Sequence, residues 1–165
     1  MKQIITYLLA TILLIACSSK KDRETSIEVL NKEILYIKKM KKIITTVKAP
    51  EPIGPYNQAV LAGNTLYTSG QIAFNPETGE LVLDNIQAET RQVMENLKQV
   101  LLAADMTFEN VIKTSIFISD MHNFSEINTV YGAYFNNETA PARETVEVAN
   151  LPKFVNVEIS AIAIK

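Results

Sequence analysis

Val155-Asn156-Val157-Glu158-Ile159-Ser160-Ala161-Ile162-Ala163-Ile164 is a ten-residue β-rich run at the C-terminal end of the chain. On a strand, Val155, Val157, Ile159, Ala161 and Ala163 share one face, and Asn156, Glu158, Ser160, Ile162 and Ile164 share the other. Glu158 therefore stands mid-strand in an apolar setting, where an ionised carboxylate is rarely left without a partner. It is either paired structurally or poised for acid/base work, and the strand alone leaves both open.

Working back from this strand, Glu144–Val148 reads as another strand, preceded by the loop Ala140-Pro141-Ala142. Arg143 opens that strand from a stiff loop, where a guanidinium suits a two-point grip on a carboxylate or an ion pair with a domain acid. Upstream, Asn123–Phe135 is expected as a helix with Phe124, Ile127, Tyr131 and Tyr134 inward, and Val111–Ile118 as a strand. From Asp84, Ile86, Thr90, Val93, Leu97 and Leu101 recur at helical spacing, with Glu89, Arg91, Glu95 and Lys98 on other faces, so a helix of about five turns ends near Ala104-Asp105. Asn75–Gly79 marks a turn, and Gln58–Ala62 with Thr65–Ser69 flank Gly63-Asn64 as a hairpin. Ile43–Val47 is expected as the first strand, and Pro50, Pro52, Gly54 and Pro55 then form an extended loop ending at Tyr56.

The order is strand, hairpin, helix, strand, helix, strand, strand. It predicts a two-layer α+β domain with a mixed sheet and both helices on one face. Val60, Leu66, Ile116, Val146 and Ile162 are assigned to the opposite face, too many apolar residues to leave wet, so oligomerisation through that face is expected.

Composition narrows the chemistry. The chain has 165 residues, 47% of them hydrophobic, with one His, one Cys and no Trp, a size that suits one domain with an appendage. Cys17 and His122 alone cannot supply a Cys/His zinc site, a disulfide or a working Cys–His pair. His122 is expected in an exposed connecting loop, and no glycine-rich phosphate loop is present. The net charge of −2 averages two unlike parts. Residues 18–48 carry nine basic and four acidic side chains, whereas residues 49–165 carry six basic and fourteen acidic ones. Such an acidic domain is a poor polyphosphate binder, which disfavours nucleic acid as partner.

The first forty residues read separately. A short basic opening and an apolar run from Ile4 to Ile15 are too short for a membrane span and match a secretory signal. Leu14-Ile15-Ala16-Cys17 resembles the lipobox of bacterial lipoproteins, which makes Cys17 a candidate lipidation site and residues 1–17 a signal peptide. Residues 18–42 are expected as a basic tether or short helix, with Thr25-x-x-Glu28 as a capping box and Ile27, Leu30, Ile34, Ile37, Lys41 and Ile44 at helical spacing. Met40-Lys41-Lys42 also looks like a start of translation. Export to the cell envelope follows from Met1 and a cytoplasmic location from Met40.

Several motifs of residues 43–165 together carry a likeness that none carries alone. Ile53-Gly54-Pro55-Tyr56-Asn57-Gln58-Ala59, Thr68-Ser69-Gly70-Gln71-Ile72, Lys113-Thr114, Asn128-x-x-Tyr131, Pro141-Ala142-Arg143-x-x-Val146-Glu147-Val148 and Val157-Glu158-Ile159-x-Ala161-Ile162-Ala163 resemble, in order and spacing, the RidA (YjgF-type) reactive intermediate deaminase family. The resemblance implies a chorismate-mutase-like fold and a homotrimer with a central barrel and active sites in the clefts between subunits. It implies hydrolysis of 2-imino or enamino acids, such as 2-aminoacrylate and 2-iminobutanoate, to 2-oxo acids and ammonia, without metal or organic cofactor. Carried over position by position, Arg143 would clamp the substrate carboxylate and Glu158 would orient or activate water. Tyr56, Ser69 and Asn128 would shape the pocket, and the backbone of Thr145 would bond substrate.

Four departures stand out. Thr145 replaces a frequent Cys, Glu144 a small residue, Ala140 a common aromatic, and Ser160 an acid found in some members. On a strand Glu144 should point away from Arg143. A non-catalytic trimer that binds small molecules or acts like a chaperone is the alternative within the same fold. Ribonuclease activity, an old label for the family, is disfavoured by the acidic domain.

Overall fold

The computed structural model describes residues 24–33 and 41–165. The chain divides into two units at Met40/Lys41. In the first unit residues 24–33 are helical, with Ile27 and Val29 about half exposed. Cys17 and the expected signal peptide over residues 1–17 lie outside the described residues.

The second unit is an α+β domain. Its strands are β1 (Lys41–Ile44), β2 (Ala59–Ala62), β3 (Thr65–Thr68), β4 (Phe74–Asn75), β5 (Glu80–Leu81), β6 (Val111–Ile118), β7 (Ala142–Glu147) and β8 (Val157–Ile164). Its helices are α1 (Ile86–Ala103), between β5 and β6, and α2 (Phe124–Gly132), between β6 and β7. Six strands form one sheet in the order β1-β2-β3-β8-β6-β7, and β4 pairs with β5 as a small separate hairpin. Only β6–β7 is parallel, because α2 carries the chain back across the sheet between them. The sheet is thus mixed, as the sequence predicts.

Asn85 starts α1 by accepting a hydrogen bond from the backbone of Ala88 at 2.8 Å. Thr90, Val93, Leu97 and Leu101 bury one stripe of the helix against Leu66, Ile116, Ile159, Ala161 and Ala163 of the sheet. Gly63, in the left-handed region at φ 64, makes the tight β2–β3 turn possible.

Five sequence expectations are corrected. The helical stripe does not run on to Ile44, and the first strand lies earlier than Ile43–Val47, since residues 41–44 are β1. It stops at Ile44 because the buried Gln58 amide takes over the backbone bonding. Its Oε1 accepts from Thr46 N at 2.6 Å, and its Nε2 donates to the carbonyls of Thr46, Ala49 and Pro50 at 2.8–3.0 Å. Leu66 and Ile116 are not on the open face. They pair with Ala163 and Ile159, whose side chains face the helices, and both are buried in the core. The open face instead carries Val60, Tyr67, Phe117, Val146 and Ile162. Phe124 is partly exposed rather than inward, while Ile127 and Tyr131 of the same helix are buried. Glu89, assigned to an outer face of α1, is 1% exposed, because the chain opening β8 supplies it with N–H donors.

Candidate functional site

Arg143 is the second residue of β7, an edge strand of the sheet. Its register partner is the buried Thr114, which sets its side chain on the helix-covered face. There its Nη1 donates to Asn128 Oδ1 of α2 at 2.8 Å, and its guanidinium lies 5.0 Å from the Tyr131 ring centre and 5.8 Å from that of Phe124. Both rings present electron-rich faces to a cation. Tyr131 is fixed in turn, its hydroxyl sharing a 2.8 Å hydrogen bond with that of Thr114. Burial pushes the Tyr131 phenol up, against the opposing effects of the Thr114 bond and of Arg143, so it remains a neutral hydrogen-bonding group. The sequence marks Arg143 and Asn128 as candidates but not the cage of Phe124 and Tyr131. The i, i+3, i+7 spacing of Phe124, Ile127 and Tyr131 signalled only a core stripe.

Beside Arg143 lies a cavity of about 360 Å³, lined by Asn128, Tyr131, Gly132, Phe135, Asn137, Ala140, Pro141 and Arg143. Thr145 follows two residues later on the same face of β7. Val148 N donates to Ile118 O, and in a parallel ladder alternate residues bond the same neighbour, so the N–H of Thr145 turns outward from β6. The Thr145 hydroxyl is buried and makes no hydrogen bond among the described residues. Glu144 points to the other face, as expected. Its carboxylate accepts from the Ser115 hydroxyl and pairs with Lys113 Nζ at 2.9 Å, contacts that hold its pKa below the usual carboxylate range. It does not compete for Arg143.

Glu158 is the second residue of β8, half-buried between the buried Val157 and Ile159, and pairs across the ladder with Phe117. Its side chain is therefore on the open face, opposite to Arg143. Burial pushes its carboxyl above the usual range, and it makes no hydrogen bond or ion pair among the described residues. Its carboxyl packs directly on Gly70, where an added Cβ would overlap Oε1 and lie 2.5 Å from Cδ. Gly70 also lines a second cavity, of about 140 Å³, with Tyr56, Gln58, Gln71, Ile72, Phe74 and Lys153 among its walls. Tyr56 is half exposed, its hydroxyl accepting from Ile53 N at 3.3 Å. Ser69 ties this loop down, its hydroxyl donating to Asn57 O at 2.6 Å and its N–H to Gln58 O at 2.9 Å.

The predicted residues thus fall into two clusters. Arg143, Asn128 and Thr145 line one edge of the sheet, whereas Glu158, Ser69 and Tyr56 gather around Gly70. A guanidinium, a group suited to an anion, stands in the first, and a carboxylate without a partner among the described residues, a group suited to proton transfer, stands in the second. No group of three or more His, Cys, Asp or Glu side chains that could hold a metal occurs among the described residues. His122 is exposed and held by Asp120 at 2.7 Å, apart from both clusters.

Residues 46–165 match the family model described as Endoribonuclease L-PSP. A RutC family protein of Pyrococcus horikoshii is 51% identical over 126 residues, covering 76% of this chain and 99% of that protein. A 2-iminobutanoate/2-iminopropanoate deaminase of Escherichia coli is 46% identical over 128 residues, covering 76% of this chain and 99% of that one. The solved structure of Escherichia coli TdcF with bound serine superposes with a TM-score of 0.71 at 44% identity, covering 75% of this chain and 98% of that one.

Proposed function

Since the chain belongs to the Endoribonuclease L-PSP family, that of the RidA, YjgF and RutC proteins, we propose that it hydrolyses reactive 2-imino acids, 2-iminobutanoate and 2-iminopropanoate among them, to 2-oxo acids and ammonia. The observation that carries this is the chemistry of the two clusters: a guanidinium braced by Asn128 and two aromatic rings, and a carboxylate left unpaired against Gly70. An iminium carbon is already electrophilic, so the protein has only to hold the anion and place water. Arg143 grips the substrate carboxylate, assisted by the outward N–H of Thr145. Glu158 takes a proton as water adds to the iminium carbon and returns it to the nitrogen of the resulting carbinolamine; as the C–N bond breaks, the hydroxyl proton passes through Glu158 to the departing ammonia, leaving the 2-oxo acid and ammonium. No step calls for a metal or organic cofactor. Tyr56, Ser69 and Asn128 shape the pocket.

Because Arg143 and Glu158 face opposite sides of one sheet, a complete site draws them from two subunits. A homotrimer built on the open sheet faces supplies that cleft and covers Val60, Tyr67, Phe117, Val146 and Ile162. For the leader we propose lipid anchoring at Cys17 in the cell envelope when translation starts at Met1, and a cytoplasmic protein when it starts at Met40; mass spectrometry of the native N-terminus separates the two.

The deciding experiment generates 2-iminobutanoate enzymatically and measures ammonia release with and without the purified protein. Acceleration lost in Arg143→Ala supports the reading. No acceleration, where the Escherichia coli deaminase accelerates, leaves the non-catalytic binding protein of the same fold.

A further inference from the structure

Glu89 lies in the first turn of α1 at 1% exposure, and none of the chemistry above uses it. Its carboxylate accepts three hydrogen bonds: from Asn156 N at 2.6 Å, Asn156 Nδ2 at 2.8 Å and Val157 N at 3.2 Å. All three donors belong to the two residues directly before Glu158. Asn156 is held from its other side as well, its Oδ1 accepting from the Ser119 hydroxyl and its carbonyl from Ser119 N, both at 3.1 Å. Immediately upstream, Lys153 and Phe154 take left-handed backbone at φ 56 and 55, a strained pair for non-glycine residues that persists only where the surroundings over-determine it. The Glu89–Asn156–Ser119 network supplies that constraint at the downstream end of the turn.

A buried carboxylate without a cation is costly unless its oxygens are fully engaged. Here its partners are all donors, so an acceptor-only group fits where an amide would set its own NH2 against one of them. We infer that Glu89 is a positioning residue: by fixing the first residues of β8 it sets the direction of the Glu158 carboxyl against Gly70. This goes one step beyond the proposed reaction and rests on Glu158 as the group that places water.

Glu89→Gln keeps size and tests the charge. The expected result is a fall in kcat of about five- to tenfold with KM unchanged within about twofold, since the carboxylate grip is on β7, in the other cluster. Unchanged kcat, or kcat and KM altered in step, overturns the inference. A second readout is independent of turnover: carboxyl 13C titration of Glu158, assigned with Glu158→Gln. Its midpoint is expected to move down in Glu89→Gln as the loosened start of β8 admits water to the carboxyl, and an unmoved midpoint overturns the inference. If the wild-type protein proves inert on imines, the deaminase reading fails and the titration alone decides. Should Glu89→Gln not fold, Ser119→Ala removes one bond from the far side of Asn156 and is expected to lower kcat about twofold and shift the titration in the same direction; no change in either overturns the inference.

Discussion

Arg143 and Glu158 flank the same strand, β6, from opposite sides and on opposite faces: Arg143 pairs with Thr114, and Glu158 with Phe117 three residues further along. Within a subunit the sheet itself stands between the two side chains. If the site is shared between neighbours in a ring of three, each variant lacks one half and a mixture restores some whole sites. Arg143→Ala and Glu158→Gln proteins, each strongly impaired alone, should regain about a quarter of wild-type activity when co-assembled at equal amounts, one half times one half per site. Activity measured on the mixed, purified oligomer checks this, and none at all would place both residues in one subunit's site.

Gly70 is the contact on which Glu158 rests. A Cβ there would overlap the carboxyl and lie 2.8 Å from Cγ, but the clash is with the far end of a flexible side chain. Gly70→Ala should therefore fold and push the carboxyl aside. Misplacement of a reacting group by about 1 Å costs on the order of 100-fold, so kcat is expected to fall about 10- to 100-fold with little change in KM. Steady-state kinetics beside a thermal melt would reveal it.

In the proposed reaction Arg143 grips the substrate carboxylate as a planar fork. Arg143→Lys keeps the charge but loses the planar two-point geometry and the stacking on Tyr131 and Phe124, so KM should rise. Loss of charge-assisted bonds is worth about 2–3 kcal/mol, roughly 30- to 150-fold in kcat/KM, for Arg143→Ala. Tyr131→Phe keeps the ring under the guanidinium but leaves the fully buried Thr114 hydroxyl unpaired. It should cost about 1–3 kcal/mol in denaturant unfolding with a smaller effect on KM.

These sites were unevenly legible in the sequence. The β2–β3 hairpin, α1, β6 and β8 follow from strong local signals, the Gly63-Asn64 turn and clear changes of period, and they stand close to where those signals put them. The open face was harder. Val60 and Leu66 look equivalent along the chain, but the two-residue turn pairs Val60 with Tyr67 and Leu61 with Leu66, so the phase of β3 places Leu66 in the core. Gln58 ending β1, Glu89 holding β8 and Thr114 bracing Tyr131 are contacts across 12, 67 and 17 residues, beyond the reach of any local pattern. The local settings of Arg143 and Glu158 mark each as a candidate, but no local pattern joins them, and only the family likeness points to one shared site.

If Glu158 is the proposed acid/base group, its carboxylate is kept in an apolar place at a cost to the fold, and pH makes that cost measurable. Burial raises the Glu158 pKa in the folded protein, so between its unfolded and folded values the native state holds the proton that the unfolded chain has released. Its stability contribution is complete below about pH 4 and is lost as pH rises through the folded value. Glu158→Gln cannot ionise and escapes that loss. Denaturant unfolding at neutral pH should show Glu158→Gln more stable than the wild-type protein, the difference shrinking to nothing as pH falls below about 4, while kcat of the variant collapses at every pH. A variant less stable than wild type at neutral pH would mean that the carboxylate has a charged or hydrogen-bonding partner in the assembled protein and is a structural group.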